Sequence, residues 1–187
     1  MSEVYTAEQK KFLLELVRNT IKDKLEGISK YRKIDESTEW LNVKQSCFVT
    51  LHSSNGQLRG CIGNMMAFEP LYDNIIHNAI NSAFRDPRFT PLRSVKEIDS
   101  IKIEISILTP MVKINSYKDI VLGKHGIYLT HGGDSSVFLP QVAPEQCWTL
   151  EETLTHLSMK AGLDPNAWKS PEAKFEVFEA IVIRDED

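Results

Sequence analysis

The sequence predicts a fold that combines helices with antiparallel strands, on three observations. An Asn55-Gly56 pair lies between two apolar segments, the strongest short-range signal for a hairpin. Apolar residues recur at helical spacing from Phe12 to Leu25 and again from Leu71 to Ala83, which marks two amphipathic helices. Ile101, Ile103, Ile105 and Ile107 alternate with Lys102, Glu104 and Ser106, the period of a half-buried strand.

Taken in order, Thr6-Ala7-Glu8-Gln9 reads as a capping box that opens the first helix. Phe12, Leu13, Leu16, Val17, Ile21 and Leu25 form its buried stripe, and Gly27 marks its stop. Lys30 to Thr38 mixes charges without a period and reads as an irregular connection. Cys47 to His52 and Gln57 to Ile62 are then the two strands of the hairpin. A two-residue type I′ loop at Asn55-Gly56 sets Ser54 opposite Gln57, His52 opposite Arg59, Leu51 opposite Gly60, Thr50 opposite Cys61 and Val49 opposite Ile62. Side chains alternate across a strand, so this register gathers Thr50, His52, Arg59 and Cys61 on one face.

Pro70 suits the first turn of the next helix, where a missing N–H costs little. That helix ends around Phe84, because Asp86 precedes Pro87 and is pushed out of the α region. Its His77 falls between stripe positions and reads as an ordinary exposed or capped histidine. Arg85-Asp86-Pro87-Arg88-Phe89 reads as a shaped loop whose arginines either pair with the aspartate or offer a fork to a carboxylate or phosphate. Val121 to Thr130 is a glycine-flanked turn into a strand, and His131-Gly132-Gly133-Asp134 turns back through Val137-Phe138-Leu139. Pro140 to Glu145 is stiffened by two prolines and shows no helical period. Thr149-Leu150-Glu151-Glu152 is a second capping box, opening a helix that closes before Gly162. Phe175 to Ile183 reads as one last strand, followed by a solvated tail from Arg184 to Asp187.

Leu58-Arg59-Gly60-Cys61-Ile62-Gly63 resembles the signature of the AMMECR domain family, whose prokaryotic members are called AmmeMemoRadiSam system protein A. Three later stretches strengthen the resemblance: Ser82-Ala83-Phe84-Arg85-Asp86-Pro87-Arg88-Phe89, Gly123-Lys124-His125-Gly126-Ile127, and Phe138 to Glu145 with Trp148. The resemblance implies an α+β fold, a mixed and largely antiparallel sheet flanked by helices in two interlaced subdomains. It implies one AMMECR-type domain over residues 1–187 without a separate linker, and association with radical-SAM and Memo-type proteins. It names no reaction. Family members often carry glycine where this chain has Cys147.

The composition is that of a globular protein, 42% hydrophobic and 26% charged over 187 residues. A formal net charge of −4 argues against nucleic-acid binding, which needs concentrated Lys and Arg. The N-terminus lacks the basic and apolar regions of a secretory signal, and no apolar run is long enough to span a bilayer. A soluble, cytoplasmic protein without membrane contact is expected. Cys47, Cys61 and Cys147 are odd in number and widely spaced, which disfavours a disulfide framework. No CxxxCxxC motif is present, so in radical-SAM chemistry the iron–sulfur cluster belongs to a partner and this chain needs no cofactor of its own.

Three chemistries are compatible with these motifs. A thiol-dependent enzyme takes Cys61 as nucleophile, with Arg59 two residues away, His52 or His125 as base and Glu104 to orient it. A metal site of Cys61, His125 and a carboxylate lacks the paired short-spaced ligands usual for zinc, and none is expected. A binding module uses Arg59, Gly60, Cys61 and Gly63 together with Gln141 and Glu145 to form a cleft for a small anionic ligand, a peptide or a partner-bound product. The binding reading is carried furthest, with the thiol-dependent enzyme as its alternative. Glycines beside the thiol serve either reading, since they free its backbone amides or simply permit close packing.

Overall fold

The structure is a computed structural model that describes residues 4–28 and 36–185. It divides into two compact units, Met1–Leu108 with Ile181–Asp187, and Thr109–Ala180. Residues 30–35 of the expected irregular connection, and Glu186 and Asp187 of the expected tail, lie outside the described residues.

In chain order the first unit contributes α1 (Ala7–Leu25), a 3-10 segment Glu36–Asn42, β1 (Cys47–His52), β2 (Leu58–Gly63), α2 (Leu71–Phe84), α3 (Val95–Ser100) and β3 (Lys102–Leu108). The second contributes β4 (Val112–Ile114), β5 (Gly126–His131), β6 (Asp134–Phe138), α4 (Val142–Gln146), α5 (Leu150–Lys160) and β7 (Lys174–Phe178), and the chain closes with β8 (Ala180–Arg184). Two four-stranded sheets result, ordered β2-β1-β3-β8 and β4-β7-β5-β6. The fold is α+β, with the helices and antiparallel pairings that the sequence predicts.

Both capping boxes form as read. The Gln9 amide donates to Thr6 Oγ1 at 3.2 Å and the Thr6 amide to Gln9 Oε1 at 2.9 Å, and Thr149 and Glu152 repeat the exchange at the start of α5. Leu13, Leu16, Val17 and Ile21 of α1 and Ile75 and Ala79 of α2 are buried against Val49, Leu51, Ile103 and Ile105 of the first sheet. The second core joins Ile127, Leu129, Phe175 and Val177 to Leu154, Leu157 and Trp168. Pro70 caps α2 in an extended conformation (φ −55°, ψ 147°), one residue before the turn in which it was expected.

The hairpin departs from the predicted register. Gly56 alone carries positive φ (82°), whereas a type I′ turn requires it of Asn55 as well. The Gly56 amide donates to Ser53 O at 2.8 Å and the Ser53 amide to Gln57 O at 2.9 Å, so the loop is three residues long. Phe48, Val49, Thr50 and Leu51 face Gly63, Ile62, Cys61 and Gly60 in order, but His52 faces Leu58. Arg59 is thus the extra residue of a β-bulge, and such a bulge re-aims the side chain it carries.

Two further expectations are corrected. The run Phe175 to Ile183 is two strands, interrupted at Glu179, whose carbonyl accepts the Thr109 amide (2.8 Å) and whose amide donates to Thr109 Oγ1 (2.8 Å). Pro140 to Glu145 is not devoid of helix, because α4 forms there with Pro144 in its first turn, where no N–H is missed. Cys147 closes α4 at φ 55°, the sole non-glycine residue with positive φ among the described residues. That conformation favours glycine.

Candidate functional site

Strand β1 lies between β2 and β3, so its pairing aligns side chains across three strands. Thr50 faces Cys61 on one side and Glu104 on the other, and alternation places all three on one sheet face. Arg184 of β8 extends the row, donating from Nε to Glu104 Oε2 at 2.5 Å. His52 faces Lys102 in the neighbouring level. The opposite face of this sheet carries Val49, Leu51, Ile103 and Ile105, all in the core. The solvated tail predicted from Arg184 is corrected as far as Asp185. Its carboxylate accepts from the Ile103 amide and from Arg18, both at 2.7 Å.

The thiol of Cys61 is half-buried. Thr50 Oγ1 donates to its sulfur at 3.3 Å, and among the described residues no histidine ring bonds to it. Its backbone is gripped instead. The Cys61 amide donates to Asp86 Oδ2 at 2.9 Å, and Arg88 Nη2 donates to the Cys61 carbonyl at 3.1 Å. Asp86 also accepts from the Arg88 backbone amide (3.1 Å), from Nε (3.0 Å) and from Nη2 (2.8 Å). The aspartate and arginine together occupy the outer edge of β2, the position a further strand would take. With its side chain only 1% exposed, Asp86 is held well below the usual carboxylate range, first by hydrogen bonds from Arg88, against burial, and then by the Cys61 and Arg88 amides.

Arg59 is paired with α3. Its Nε and Nη2 donate to Glu97 Oε1 at 3.1 and 2.7 Å, and Glu97 Oε2 accepts the Arg93 amide at 3.2 Å. The bulge falls at Arg59, and the α3 carboxylate holds the Nε–Nη2 edge of its guanidinium. The glycines serve close packing. A Cβ on Gly60 would overlap the Ser82 carbonyl at the end of α2, and one on Gly63 would overlap the Phe48 ring.

The remaining predicted residues belong to the second unit. His125 Nδ1 accepts the Val121 amide at 3.1 Å and the His125 amide donates to Val121 O at 2.9 Å, so this ring closes its own turn and carries its neutral-state proton on Nε2. A Cβ on Gly123 would come 3.4 Å from Pro144, which sets this turn against the segment holding Gln141 and Glu145. Both of those residues are exposed, and Gln141 makes no side-chain cap to α4.

Cys47 differs from Cys61. It is fully buried, its amide donates to Asn74 Oδ1 (2.9 Å), its carbonyl accepts from Asn78 Nδ2 (3.1 Å), and burial pushes its thiol up to about 12. This cysteine is structural. His77 is exposed, as read, and meets Glu69 Oε2 at 2.9 Å. No group of three or more His, Cys, Asp or Glu side chains is placed to hold a metal ion among the described residues. The functional candidates that sequence reasoning missed are Arg184 and Glu97, which no local pattern ties to the hairpin. Asp86 and Arg88 were legible as an internal pair but not as the clamp on Cys61.

A family model described as AMMECR1 matches residues 14–183. The chain belongs to the AMMECR1 family. Protein MK0488 of Methanopyrus kandleri is 40% identical to it, the alignment covering 100% of this chain and 93% of that one. Protein MJ0810 of Methanocaldococcus jannaschii is 38% identical over 96% and 92% of the two chains. The crystal structure of PH0010 from Pyrococcus horikoshii superposes with a TM-score of 0.81 at 34% identity, covering 97% of this chain and 93% of that one. The AMMECR1 chain thus shares its α+β fold with a solved relative. No helix among its described residues is long and apolar enough to cross a membrane.

Proposed function

We propose that the polar face around Cys61, Thr50 and Glu104 is a recognition surface. In this reading the chain holds a small molecule or protein segment within a modification pathway shared with radical-SAM and Memo-type partners, and the LRGCIG strand forms the wall of the cleft. The observation that carries the reading is the environment of the sulfur. Its hydrogen-bond partner is a hydroxyl, Arg59 is spent on Glu97, and the backbone of Cys61 is fixed by Asp86 and Arg88. A nucleophilic thiol needs a base or a lowered pKa, and a rigid, hydrogen-bonded strand suits recognition better. The proximity of Arg88 is the observation that favours the alternative, a thiol-dependent enzyme with Cys61 as nucleophile.

The rates of alkylation by neutral iodoacetamide, resolved by peptide mass spectrometry, decide between them. Cys61 is expected to react no faster than the exposed Cys147. A rate more than about tenfold higher at Cys61 would transfer the assignment to the enzyme. The pathway is tested by mixing the chain with the radical-SAM and Memo-type proteins of its own organism and sizing the mixture. Association that survives Cys61→Ser supports recognition, and no association with either partner overturns the pathway.

A further inference from the structure

Resting on that reading of the Cys61 face, we propose that its ligand is an oxyanion, a carboxylate or phosphate, and that Arg88 rather than Arg59 receives it. A guanidinium has five N–H donors. In Arg88, Nε and Nη2 are used by Asp86 and the Cys61 carbonyl. The two hydrogens on Nη1 meet no hydrogen-bond acceptor among the described residues, the guanidinium carbon lies 5.4 Å from the centroid of the Phe89 ring, and 54% of the side chain is exposed.

Asp86 sets the direction in which those donors point. Its carboxylate holds the other edge of the guanidinium as a two-point fork and is itself almost wholly buried, so an incoming anion meets N–H groups and not the aspartate. A guanidinium already fixed in one geometry loses little freedom on binding. Arg59 offers none of this. It is 17% exposed and folded onto Glu97. The second cation of the loop, Arg85, is exposed and, among the described residues, held only by a long 3.4 Å bond to Asn81. It can add charge to the approach without fixing a pose. Because Arg88 is anchored on the carbonyl of Cys61 itself, the anion is delivered beside that thiol.

The thiol therefore reports on the anion site. In the full chain, alkylation by anionic iodoacetate and by neutral iodoacetamide is measured at Cys61 and at Cys147 in the same sample. The iodoacetate-to-iodoacetamide ratio is expected to be at least about fivefold higher at Cys61 than at Cys147. Inorganic phosphate should protect Cys61 selectively, and about 0.5 M NaCl should bring the two ratios together. Arg88→Gln should abolish the preference, while Arg88→Lys, which keeps charge without the fork, should retain part of it. Equal ratios at the two cysteines in the unaltered protein overturn the assignment, as does a preference that survives both salt and Arg88→Gln. Should Arg88→Gln lose its fold by circular dichroism, the phosphate and salt measurements on the unaltered chain decide alone. The absolute iodoacetamide rate tests recognition against catalysis and the ratio tests the anion, so the failure of one is told apart from the failure of the other.

Discussion

Two edge strands of this molecule, β2 in the first unit and β6 in the second, solve the same problem by different means. Each belongs to a tight hairpin, and each leaves one row of backbone groups without a strand partner among the described residues. The β6 hairpin has a two-residue loop, His131 facing Asp134, with positive φ at Gly132. Its outer edge is touched by an exposed lysine, Lys160, which donates to Val137 O at 2.8 Å and lies 4.9 Å from the Phe138 ring. The β2 hairpin has a three-residue loop and a bulge, and its edge is held by a buried carboxylate and its arginine. Buried ionic groups are costly unless fully paired, and here both oxygens of the buried carboxylate are paired while its arginine stays 54% exposed. Strand β2 carries Cys61.

Breaking the clamp has the largest expected effect. Asp86→Asn leaves the Arg88 fork short of an acceptor and weakens the bond to the Cys61 amide, at a cost of about 3 kcal/mol read from the urea unfolding midpoint. The same carboxylate confers pH dependence. Its folded pKa lies below its unfolded one, so its contribution is fully present above the unfolded value near 4 and is lost as pH falls below it. Stability of the unaltered protein should therefore fall steeply on acidification below about pH 4, and Asp86→Asn should flatten that part of the curve. An unchanged slope would mean that other carboxylates govern acid unfolding.

Gly60→Ala comes next. Its Cβ would strike the Ser82 carbonyl, a backbone atom at the C-terminal end of α2 that cannot rotate away, so either β2 or α2 must shift. About 2 kcal/mol of destabilisation is expected, together with faster amide exchange along β2 than along β6. A neutral substitution would show that the strand and helix separate freely, and that the glycine is there for some purpose other than packing.

What the sequence made legible follows the range of the interactions. Both capping boxes are made of residues within four positions of each other and formed as local chemistry predicts, and the His125 ring closes its turn over the same short range. The hairpin was recognisable, as was the alignment of Thr50 with Cys61. Its loop length was not, because Asn-Gly suits both a two-residue loop and a three-residue loop ending in a left-handed glycine. That single residue decided where Arg59 points, and its partner Glu97 lies 38 positions away. The break at Glu179 was hidden for a related reason. Phe175 to Ile183 contains no turn residue, and it is the distant Thr109 that bonds both the amide and the carbonyl of Glu179 at the break. The solvated tail was misread because Arg18, 167 residues earlier, and Glu104, 80 earlier, capture Asp185 and Arg184.

The smallest effect tests the other side of the comparison. Lys160→Met removes the ammonium that reaches Val137 O but keeps an unbranched side chain able to lie along Phe138. An exposed hydrogen bond of this kind exchanges with water at little net cost, so the unfolding midpoint should move by less than about 0.5 kcal/mol. The informative readout is association. Removing a lysine from a sheet edge takes away one of the devices that prevent edge-to-edge pairing, so concentration-dependent sizing should detect more self-association in Lys160→Met than in the unaltered chain. The stability term and the association term then separate cleanly. On β2 a buried carboxylate fixes the strand's own conformation, and on β6 an exposed cation keeps other strands away. A loss of several kcal/mol without self-association would erase that distinction, because Lys160 would then be holding β6 as firmly as Asp86 holds β2.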